Sequence, residues 1–493
     1  MANPIRINDW NKGVGRSPYV GYAEMRNISL DVPGCIKSSY AGTKRTGTQI
    51  TSRVQKIIYG DKLYALDAAG KIWKSTDGTT WTEITGHTAT AISSIEFWKG
   101  FLFYIYRPSS AVLTVQVYSG SGTSWSTSWW STISGSKIDF TDVVSIVGRD
   151  DRLYFGAGNV LHSVNEKAAQ DFDYTNSATY TQNTDVLDLP EDSPIKDIEE
   201  LDTKLMVAAG RFIYPWDRTS SSFNLALPIT EGNVNSMVKG NGLLYINAGN
   251  KCSILVTNGS DVRLLKELPA HLFGTSTFIS TTVFPNASMF KDNKVYFGIS
   301  SAGAYTAPYQ YGVWSYHILT GALVMESKPS TADVSTAAQI EIGALFGSRN
   351  ITSTAENYYT GFRVVDATNG NSYGIDEVTT STHDKSGGSF TSWVVTPLYL
   401  VGSRKQPRTF TTISWTAGKS FGQSNNNAIK LSWRKNTSDS FTAIREWESS
   451  GATQTYDYNI ISGYEQLPVT RAQTIQIKIE LASNVELLEL VLE

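Results

Sequence analysis

Residues 54–84 alternate short apolar runs with polar turns, a pattern that predicts four antiparallel β-strands. The predicted strands cover residues 57–59, 62–66, 71–74 and 81–84. The turns between them carry Gly60, Gly70 and Asp77, because glycine accepts a positive φ and aspartate hydrogen-bonds its own backbone. Four antiparallel strands within about thirty residues are typical of one blade of a β-propeller.

The second predicted strand recurs along the chain at spacings that fit a series of similar blades. Its copies lie at residues 100–104, 151–155, 202–207, 242–246 and 292–297. Taken at residues 64, 103, 154, 206, 245 and 296, they are 39 to 52 residues apart, which suits blades with outer loops of variable length. Residues 357–365 form a weaker copy, so we expect six or seven blades. The alternative is a large β-sandwich built from unrelated hairpins.

A different pattern begins after the Ser- and Gly-containing stretch 381–388, which has the composition of a linker. Every second residue within 429–433 and within 475–481 is apolar. A period of two with one apolar face predicts a sheet that packs on one side only. We therefore expect a β-propeller at residues 51–385 and a C-terminal β-sandwich at residues 386–493.

Residues 1–50 do not follow the blade pattern. Their glycines and prolines prevent a regular helix, so we expect an extended N-terminal arm. The arm is locally basic through Lys12, Arg16, Arg26, Lys37, Lys44 and Arg45. It either wraps the propeller and supplies a closing strand, or it reaches a neighbouring subunit.

Composition supports an all-β chain and argues against nucleic-acid recognition. The 493 residues include 42 basic and 45 acidic ones, which gives a formal net charge of −3. Outside the arm there is no basic cluster of the kind that neutralises phosphates. The surface is expected to carry more hydroxyl groups than charges, because only 18% of the residues are charged.

The cysteine and histidine pattern indicates no disulfide framework, metal site or cofactor. Cys35 and Cys252 are the two cysteines, and the five histidines lie far apart in sequence. The first residues lack the apolar core of a signal peptide, and no run approaches the ~20 apolar residues of a membrane span. We therefore expect a protein that is made in a cytoplasm and does not insert into a membrane.

The turn at residues 75–81 resembles a shortened Asp-box of sialidase-type propellers. Its characteristic residues are Ser75, Asp77, Gly78 and Trp81. In an Asp-box the aspartate caps backbone amides while the tryptophan packs between blades, away from any catalytic centre. We therefore expect a structural role for this turn. Residues 118–125 form a degenerate copy that lacks the aspartate.

Trp129 and Trp130 belong to a Ser-, Gly- and Trp-rich insertion at residues 119–136, which is too long for a hairpin turn. Such insertions belong on the rim of a propeller, where partners are contacted. Tryptophan is enriched among interface anchors, so the pair is a candidate interface. Packing between blades is the other interpretation of both residues.

We expect no enzyme activity and no catalytic residue. A sialidase-like glycosidase would need an arginine cluster, a tyrosine nucleophile and a glutamate partner. The arginines that could supply the cluster are Arg152, Arg211, Arg349 and Arg363. The acidic pairs Glu199-Glu200 and Asp376-Glu377 are expected to lie in solvated turns rather than to act as an acid and a nucleophile.

Two short segments of the arm carry a resemblance to a known family. Residues 23–28 read Ala-Glu-Met-Arg-Asn-Ile, and residues 32–37 read Val-Pro-Gly-Cys-Ile-Lys. Together they resemble the opening of the tail nozzle and packaged-DNA stabilisation proteins of short-tailed phages. In that family an Arg-Asn segment and a Pro-Gly turn precede a propeller with a small β-domain. Where the family often continues into Arg-Pro-Gly, residues 38–42 here read Ser-Ser-Tyr-Ala-Gly.

The resemblance implies a structural virion protein that is made in the host cytoplasm and resides in the phage tail. It implies a homohexameric ring that extends and closes the DNA exit channel of the head. The implied partners are a portal or adaptor protein and other tail proteins, with genomic DNA passing through without specific binding. Arg26 and Asn27 would then be interface residues. The alternatives are a glycan- or receptor-binding tail propeller and, less favoured, a sialidase-like glycosidase.

Overall fold

The structure is a computed structural model in which most of the chain is described. The described residues are 4–15, 21–31, 34–47, 49–87, 92–109, 112–119, 129–133, 146–149, 151–168, 171–190, 194–223, 225–273, 281–301, 311–330, 338–348, 357–366, 370–383, 392–402, 407–419, 428–448, 461–482 and 485–493. Arg16, Arg349, most of the degenerate Asp-box copy at 118–125 and most of the linker stretch at 381–388 lie outside them.

The described residues are in β-strands and turns, with no α-helix among them and two 3-10 helices, Trp10–Lys12 and Ala270–Leu272. The prediction of an all-β chain is therefore confirmed for this part of the chain. No helix in the described ranges is long and apolar enough to cross a membrane.

The arm contributes five short strands. They are β1 (Ile5–Ile7), β2 (Glu24–Arg26), β3 (Ile28–Ser29), β4 (Lys37–Ser38) and β5 (Tyr40–Lys44). Only β3 and β4 pair with each other. The other three pair with strands from distant parts of the chain, so the arm is part of the sheets of both the ring and the C-terminal region.

Residues 54–266 form five successive four-stranded antiparallel sheets. The first contains β6 (Val54–Tyr59), β7 (Leu63–Asp67), β8 (Ile72–Ser75) and β9 (Thr82–Glu83). The second contains β10 (Ile92–Trp98), β11 (Phe101–Ser109), β12 (Val112–Ser119) and β13 (Trp130–Ile133). The third contains β14 (Ile146–Arg149), β15 (Arg152–Ala157), β16 (Val160–Glu166) and β17 (Tyr180–Asp188). The fourth contains β18 (Ile195–Leu201), β19 (Lys204–Ala209), β20 (Phe212–Trp216) and β21 (Leu227–Pro228), and the fifth contains β22 (Val234–Gly240), β23 (Leu243–Ala248), β24 (Ser253–Thr257) and β25 (Val262–Lys266).

Two further sheets complete this series. The sixth contains β27 (Ser288–Lys291), β28 (Lys294–Ser301), β29 (Gly312–His317) and β30 (Leu323–Ser327), and the short β26 (Thr281–Thr282) pairs with the end of β28. The seventh contains β31 (Ala338–Ser348), β32 (Asn357–Asp366) and β33 (Gly370–His383), with β5 of the arm as its fourth strand. Every predicted copy of the second strand lies in the second strand of one of these sheets, so that repeat is confirmed.

The first turns of the second, fourth, fifth and sixth sheets contain residues with a positive φ. Asn241 and Gly242 have φ values of 50° and 74°, and Asp202 has 53°. Short hairpin turns with positive φ match the right-handed twist of the strands they join. The turn residues that mark the repeat in the sequence therefore also set the geometry of the first hairpin.

The sheets stand around a closed ring, which is the arrangement of a β-propeller. Each innermost strand contacts the innermost strand of the next sheet, and β31 of the seventh sheet contacts β6 of the first. Apolar side chains fill the gap between neighbours, as Trp73 of the first sheet and Tyr359 of the seventh do. A sandwich of unrelated hairpins would not close in this way.

Close packing between sheets requires glycine at some contacts. A Cβ atom at Gly240 would lie 2.2 Å from the ring of Phe290 on the neighbouring sheet. The absence of a side chain at this position lets the aromatic ring approach the backbone of β22 directly.

The C-terminal strands form two sheets that pack through their apolar faces. They are β34 (Ser392–Val395), β35 (Tyr399–Leu400), β36 (Arg408–Ala417), β37 (Ala428–Arg434), β38 (Thr442–Glu448), β39 (Ser462–Ala472), β40 (Thr474–Ala482) and β41 (Leu487–Leu492). One sheet has the order β1-β41-β36-β39, and the other contains β2-β34-β40-β37-β38. The rings of Trp415 and Trp447, one from each sheet, are 5.5 Å apart.

Strand β2 joins the C-terminal part of the chain to the ring. It pairs in parallel with β30 of the sixth sheet and antiparallel with β34 of the C-terminal sheet. The two sheets therefore share one continuous hydrogen-bonded ladder. On the ring side this pairing consists of one residue pair, Arg26 with Met325, so β2 joins the two parts at a single point.

The packing of the C-terminal sheets predicts that Trp415→Ala will destabilise the protein strongly. The side chain of Trp415 is fully buried, and replacing a buried tryptophan with alanine typically costs about 3–5 kcal/mol. Denaturant unfolding should show a lower midpoint, whereas Thr416→Ala, an exposed neighbour on the same strand, should leave it nearly unchanged. An unchanged midpoint for Trp415→Ala would contradict the packing described here.

Candidate functional site

The ring has two ends with different kinds of loops. Because consecutive strands are antiparallel, the first-to-second and third-to-fourth turns of every sheet lie at one end, which we call the turn end. The second-to-third turns and the connections between sheets lie at the other, which we call the connection end. The predicted Asp-box turn, between β8 and β9, lies at the turn end.

Asp77 organises the turn at residues 75–81 through its side chain. Its Oδ1 accepts hydrogen bonds from the backbone N–H of Thr79 at 2.9 Å and of Thr80 at 2.8 Å. The hydroxyl of Ser75 lies 3.0 Å from the same oxygen and accepts the N–H of Gly78 at 2.9 Å. The hydrogen bond from the Thr80 backbone is the main cause of a lowered pKa of Asp77, so the carboxylate stays ionised.

The same turn packs the first sheet against the seventh. Trp81 is buried, and its Nε1 donates a hydrogen bond to the carbonyl of Gly78 at 3.2 Å. Gly78 has a φ of +73°, and a Cβ there would lie 1.9 Å from the hydroxyl of Tyr359 on β32. A side chain at this position is therefore excluded both by conformation and by space. The geometry is that of a structural turn at a contact between sheets.

Two further turns at the same end are also capped by an Asp or Asn side chain, and the sequence analysis did not identify them. Oδ1 of Asp217 accepts the N–H of Thr219 at 2.9 Å and of Ser220 at 2.8 Å. Oδ1 of Asn258 accepts the N–H of Ser260 at 3.1 Å. Both lack the full Ser-x-Asp-Gly-x-x-Trp pattern, but each has Asp or Asn directly after a third strand and two or three residues before a serine. This shorter pattern is the feature of the sequence from which the two turns could have been predicted.

Trp129 and Trp130 lie between the second and third sheets. The ring of Trp130 is 5.1 Å from that of Phe155, and its side chain is buried. Trp129 is half-buried, with its ring 5.2 Å from the rings of both Phe103 and Tyr180. These contacts match the packing interpretation of the two tryptophans. Trp130 begins β13, and residues 120–128 and 134–136 of the insertion lie outside the described residues.

Arg26 is the last residue of β2, the strand that joins the ring to the C-terminal sheets, and both Arg26 and Asn27 are buried within the chain. Only 2% of Arg26 is exposed, and its guanidinium lies 4.4 Å from the centre of the Trp393 ring. Glu24 accepts a hydrogen bond from Trp393 Nε1 at 2.8 Å. The backbone carbonyl of Asn27 accepts the N–H of Ser39 at 2.8 Å. In the single chain these two residues hold the arm in place and are not part of the exposed surface.

A cavity lies where the arm covers the turn end of the sixth sheet. Its volume is about 480 Å³. We call its polar lining the arm junction, which consists of Asp31 and Ser39 from the arm and Lys294, His317 and Glu326 from the sixth sheet.

Lys294 is the central charge of the arm junction. Its side chain is 4% exposed and forms ion pairs with Asp31 and, at 3.1 Å, with Glu326. Glu326 also accepts a hydrogen bond from the hydroxyl of Ser315 at 2.6 Å. The Ser39 hydroxyl donates to the backbone carbonyl of Glu326. The arm therefore contributes both a carboxylate and a hydroxyl to a cluster whose other members belong to the ring.

Asp31 and Lys294 stay charged. Burial opposes the ionisation of both, but the attraction of Lys294 holds the pKa of Asp31 at about 2, and the charges of Glu326 and Asp31 raise the pKa of Lys294 well above its usual value. Burial raises the pKa of Glu326. A lysine that acts as a nucleophile needs a lowered pKa. The arrangement therefore suits Lys294 to hold the arm and not to attack a substrate.

His317 lies at the edge of this cluster. Its Nε2 is buried and has no hydrogen-bond partner in the described ranges. Burial, assisted by the charge of Lys294 and opposed by Asp31, lowers the pKa of His317 to about 4. The ring is therefore neutral at pH 7.

The carboxylates considered for glycosidase chemistry are engaged elsewhere, and the expectation that they lie in solvated turns is wrong. Both pairs lie in strands, β18 and β33. Adjacent residues of a strand point to opposite faces, so neither pair can act on one substrate. Glu200 pairs with Arg218 at 3.0 Å, Glu377 pairs with Arg45 at 2.7 Å, and the buried Asp376 accepts from Ser330.

The described arginines of the predicted cluster do not converge. Arg152 donates to the carbonyl of Arg218 at 2.8 Å, Arg211 donates to the carbonyl of Thr230 at 3.0 Å, and Arg363 pairs with Glu341 at 3.0 Å. They lie on the third, fourth and seventh sheets. No group of three or more His, Cys, Asp or Glu side chains in the described part of the chain could hold a metal ion.

Comparison with known proteins gives only distant structural likenesses. No protein-family model and no curated protein matches the sequence. The computationally designed Ika8 protein is 14% identical, with 73% of this chain and 95% of that chain covered and a TM-score of 0.39. A chain of the mitotic checkpoint complex is 10% identical (72% and 98% covered, TM-score 0.43), and the Dos1 propeller is 12% identical (71% and 85% covered, TM-score 0.42). At these values the likenesses carry no inference about function.

The geometry of the Asp-box turn predicts that Asp77→Ala will destabilise the protein without affecting any activity. Removing a side chain that caps exposed turn amides typically costs about 1 kcal/mol. Thermal unfolding should show a lower midpoint, and Asp171→Ala, which removes an exposed carboxylate elsewhere, should not. Full stability combined with the loss of a hydrolytic activity would instead make Asp77 catalytic.

The lowered pKa of His317 predicts a pH dependence of stability. The unfolded chain binds the proton near pH 6.5 and the folded chain near pH 4, so stability is lost as the pH falls between these values. In His317→Gln this loss should disappear. Relative to the variant, the wild type should lose on the order of 1–2 kcal/mol between pH 7 and 4.5 in urea unfolding.

Thr416→Ala, an exposed substitution that changes no titratable group, provides the control for this experiment. This variant should follow the wild-type pH dependence. Parallel pH curves for the wild type and His317→Gln would show that His317 titrates normally in the folded protein.

Proposed function

We propose that this chain is a structural protein of a phage tail. Six copies would form a ring at the nozzle or head-closure position, where the ring extends and closes the DNA exit channel. Each copy would be a seven-bladed β-propeller with a woven N-terminal arm and a C-terminal β-sandwich. Its partners would be a portal or adaptor protein and other tail proteins of the virion.

The observation that carries the proposal is the position of the segment that resembles the nozzle family. Residues 23–28 contain β2, the strand that joins the ring to the C-terminal sheets. The segment that resembles the nozzle family therefore contains the strand that connects the ring to the C-terminal sheets. A channel component under pressure from packaged DNA benefits from a main-chain connection between its two parts.

The closed contacts of the innermost strands support seven blades. The seventh sheet reaches four strands only with β5 from the arm. Closing the last sheet with a strand from the other end of the propeller chain locks the ring, because opening it would break that strand's main-chain hydrogen bonds.

The apolar faces of the C-terminal sheets support a β-sandwich. Ile477 and Ile479 of one sheet and Leu490 and Leu492 of the other are buried in the same core. The opposite face of the sheet that contains β40 carries the partly exposed Lys478 and Glu480. One apolar face and one polar face per sheet are typical of two sheets packed against each other.

The state of the basic arm residues supports passage of DNA without binding. Lys12 pairs with Asp9 at 3.0 Å and Arg45 pairs with Glu377 at 2.7 Å. Arg26 is buried against Trp393. Basic residues that are paired or buried within the chain hold phosphates less strongly, which supports passage of DNA without specific binding.

The alternative, a glycan- or receptor-binding propeller of the tail, has one observation in its favour. This is a polar groove at the connection end between the fourth and fifth sheets. The glycosidase alternative has none, because its candidate carboxylates are held in separate contacts.

The proposal predicts that virions assembled without this protein will package DNA and then lose it. The measurement is the amount of nuclease-protected DNA in particles after incubation, with wild-type particles as the control. Electron microscopy of wild-type tails should show a sixfold ring that the mutant tails lack. Purified protein should not retard duplex DNA in a gel at physiological salt.

Two outcomes would contradict this proposal. Tails that lack a sixfold ring containing the protein would remove the channel role. Particles that keep their genomes but fail to attach to cells would favour the receptor-binding alternative. Monomeric protein in isolation is compatible with the proposal, because a portal can template the ring.

A further inference from the structure

The groove at the connection end lies between the fourth and fifth sheets. Its volume is about 790 Å³, within the size range of small-molecule sites. Four segments outside the strands line it: the turn at Arg211, the connection at residues 230–233, the turn at residues 249–251 and Glu267 after β25. The arm and the C-terminal sheets supply none of its lining residues, so it is separate from the arm junction.

Two glycines bring the loops together at the base of the groove. A Cβ atom at Gly249 would lie 2.2 Å from the carbonyl oxygen of Glu231, and one at Gly232 would lie 2.8 Å from Cα of Gly249. Because no side chain rises between them, the backbone itself forms this part of the wall. Gly232 has a φ of 140° and Gly249 a φ of 69°, and these positive values also exclude most other residues.

The charges around the groove are balanced. Arg211 and Lys251 supply two positive charges, and Glu231 and Glu267 supply two negative ones. A strongly charged ligand of either sign would meet repulsion as well as attraction. The lining therefore favours an uncharged ligand.

The lining contains no aliphatic or aromatic side chain. No aliphatic or aromatic side chain would therefore anchor an apolar ligand or the apolar residue of a peptide. The groove offers amide groups instead, since Asn233, Asn235 and Asn250 all line it. The amide of Asn235 is held in orientation by its hydrogen bond to the carbonyl of Gly249 at 3.0 Å.

One buried hydroxyl in the groove is unsatisfied by the protein. Ser253 is 1% exposed, and its Oγ has no hydrogen-bond partner among the described residues. A buried polar group without a partner costs free energy. A ligand hydroxyl placed in the groove would supply the missing hydrogen bond.

We propose that this groove binds a short, uncharged oligosaccharide. A hydroxyl-rich and uncharged ligand matches the amides, the open backbone, the balanced charges and the unsatisfied Ser253. The inference does not rest on the role of the protein in a channel. Binding can be measured on the purified chain, so failure here would leave the channel proposal intact.

The test is a printed array of neutral and acidic oligosaccharides probed with the full-length protein. We expect binding to a subset of the neutral oligosaccharides and weaker or no binding to the acidic ones. The bound oligosaccharide then serves as the probe for titration of variants. Asn233→Trp places a large side chain at an exposed position of the groove and should weaken binding at least about tenfold. Ser253→Ala should weaken it about fivefold.

Ser260→Ala is the matched control, because it removes a hydroxyl at the opposite end of the same sheet. It should leave binding unchanged. The proposal is overturned if no neutral oligosaccharide on the array is bound. It is equally overturned if acidic oligosaccharides bind more tightly, or if Asn233→Trp leaves the affinity unchanged while the variant is folded by circular dichroism.

Discussion

The main-chain pairing of the N-terminal arm is the constraint on which the rest of this structure depends. β1 pairs with β41 at the end of the chain, β2 lies between β30 and β34, and β5 completes the sheet of β31, β32 and β33. Each pairing satisfies backbone groups at a sheet edge that would otherwise lack partners. The entropic cost of closing a loop rises only slowly with loop length. Pairing strands this far apart in sequence therefore costs little more free energy than pairing closer ones. The ring and the C-terminal sheets therefore form one connected unit.

The buried charges at the arm junction add specificity to that pairing. Burying an ion pair carries a desolvation cost that the attraction between the charges often only offsets. Lys294 has partners from both sides, Glu326 in the ring and Asp31 in the arm. The cluster is complete only when the arm lies in one register. We therefore see its role as fixing where the arm sits more than as adding net stability.

The two ends of the ring differ in what their loops can do. At the turn end, Asp77, Asp217 and Asn258 close compact turns by capping backbone amides. Such turns leave few free polar groups for a ligand. At the connection end the loops between sheets are open, and glycines keep side chains out of the base of the groove. Binding to small molecules is therefore better suited to the connection end, and structural contacts to the turn end.

The sequence by itself determined the local features of this protein. Alternation with a period of two, and turns rich in Gly and Asp, predicted the repeated four-stranded sheets and the turn at Asp77. These features depend on neighbouring residues, which is why a local pattern is enough to find them. The tertiary structure decided which strands become partners. It buried Arg26 and Asn27, placed Asp376 and Glu377 in a strand and brought together the arm junction, because these outcomes depend on contacts between residues that are far apart in sequence.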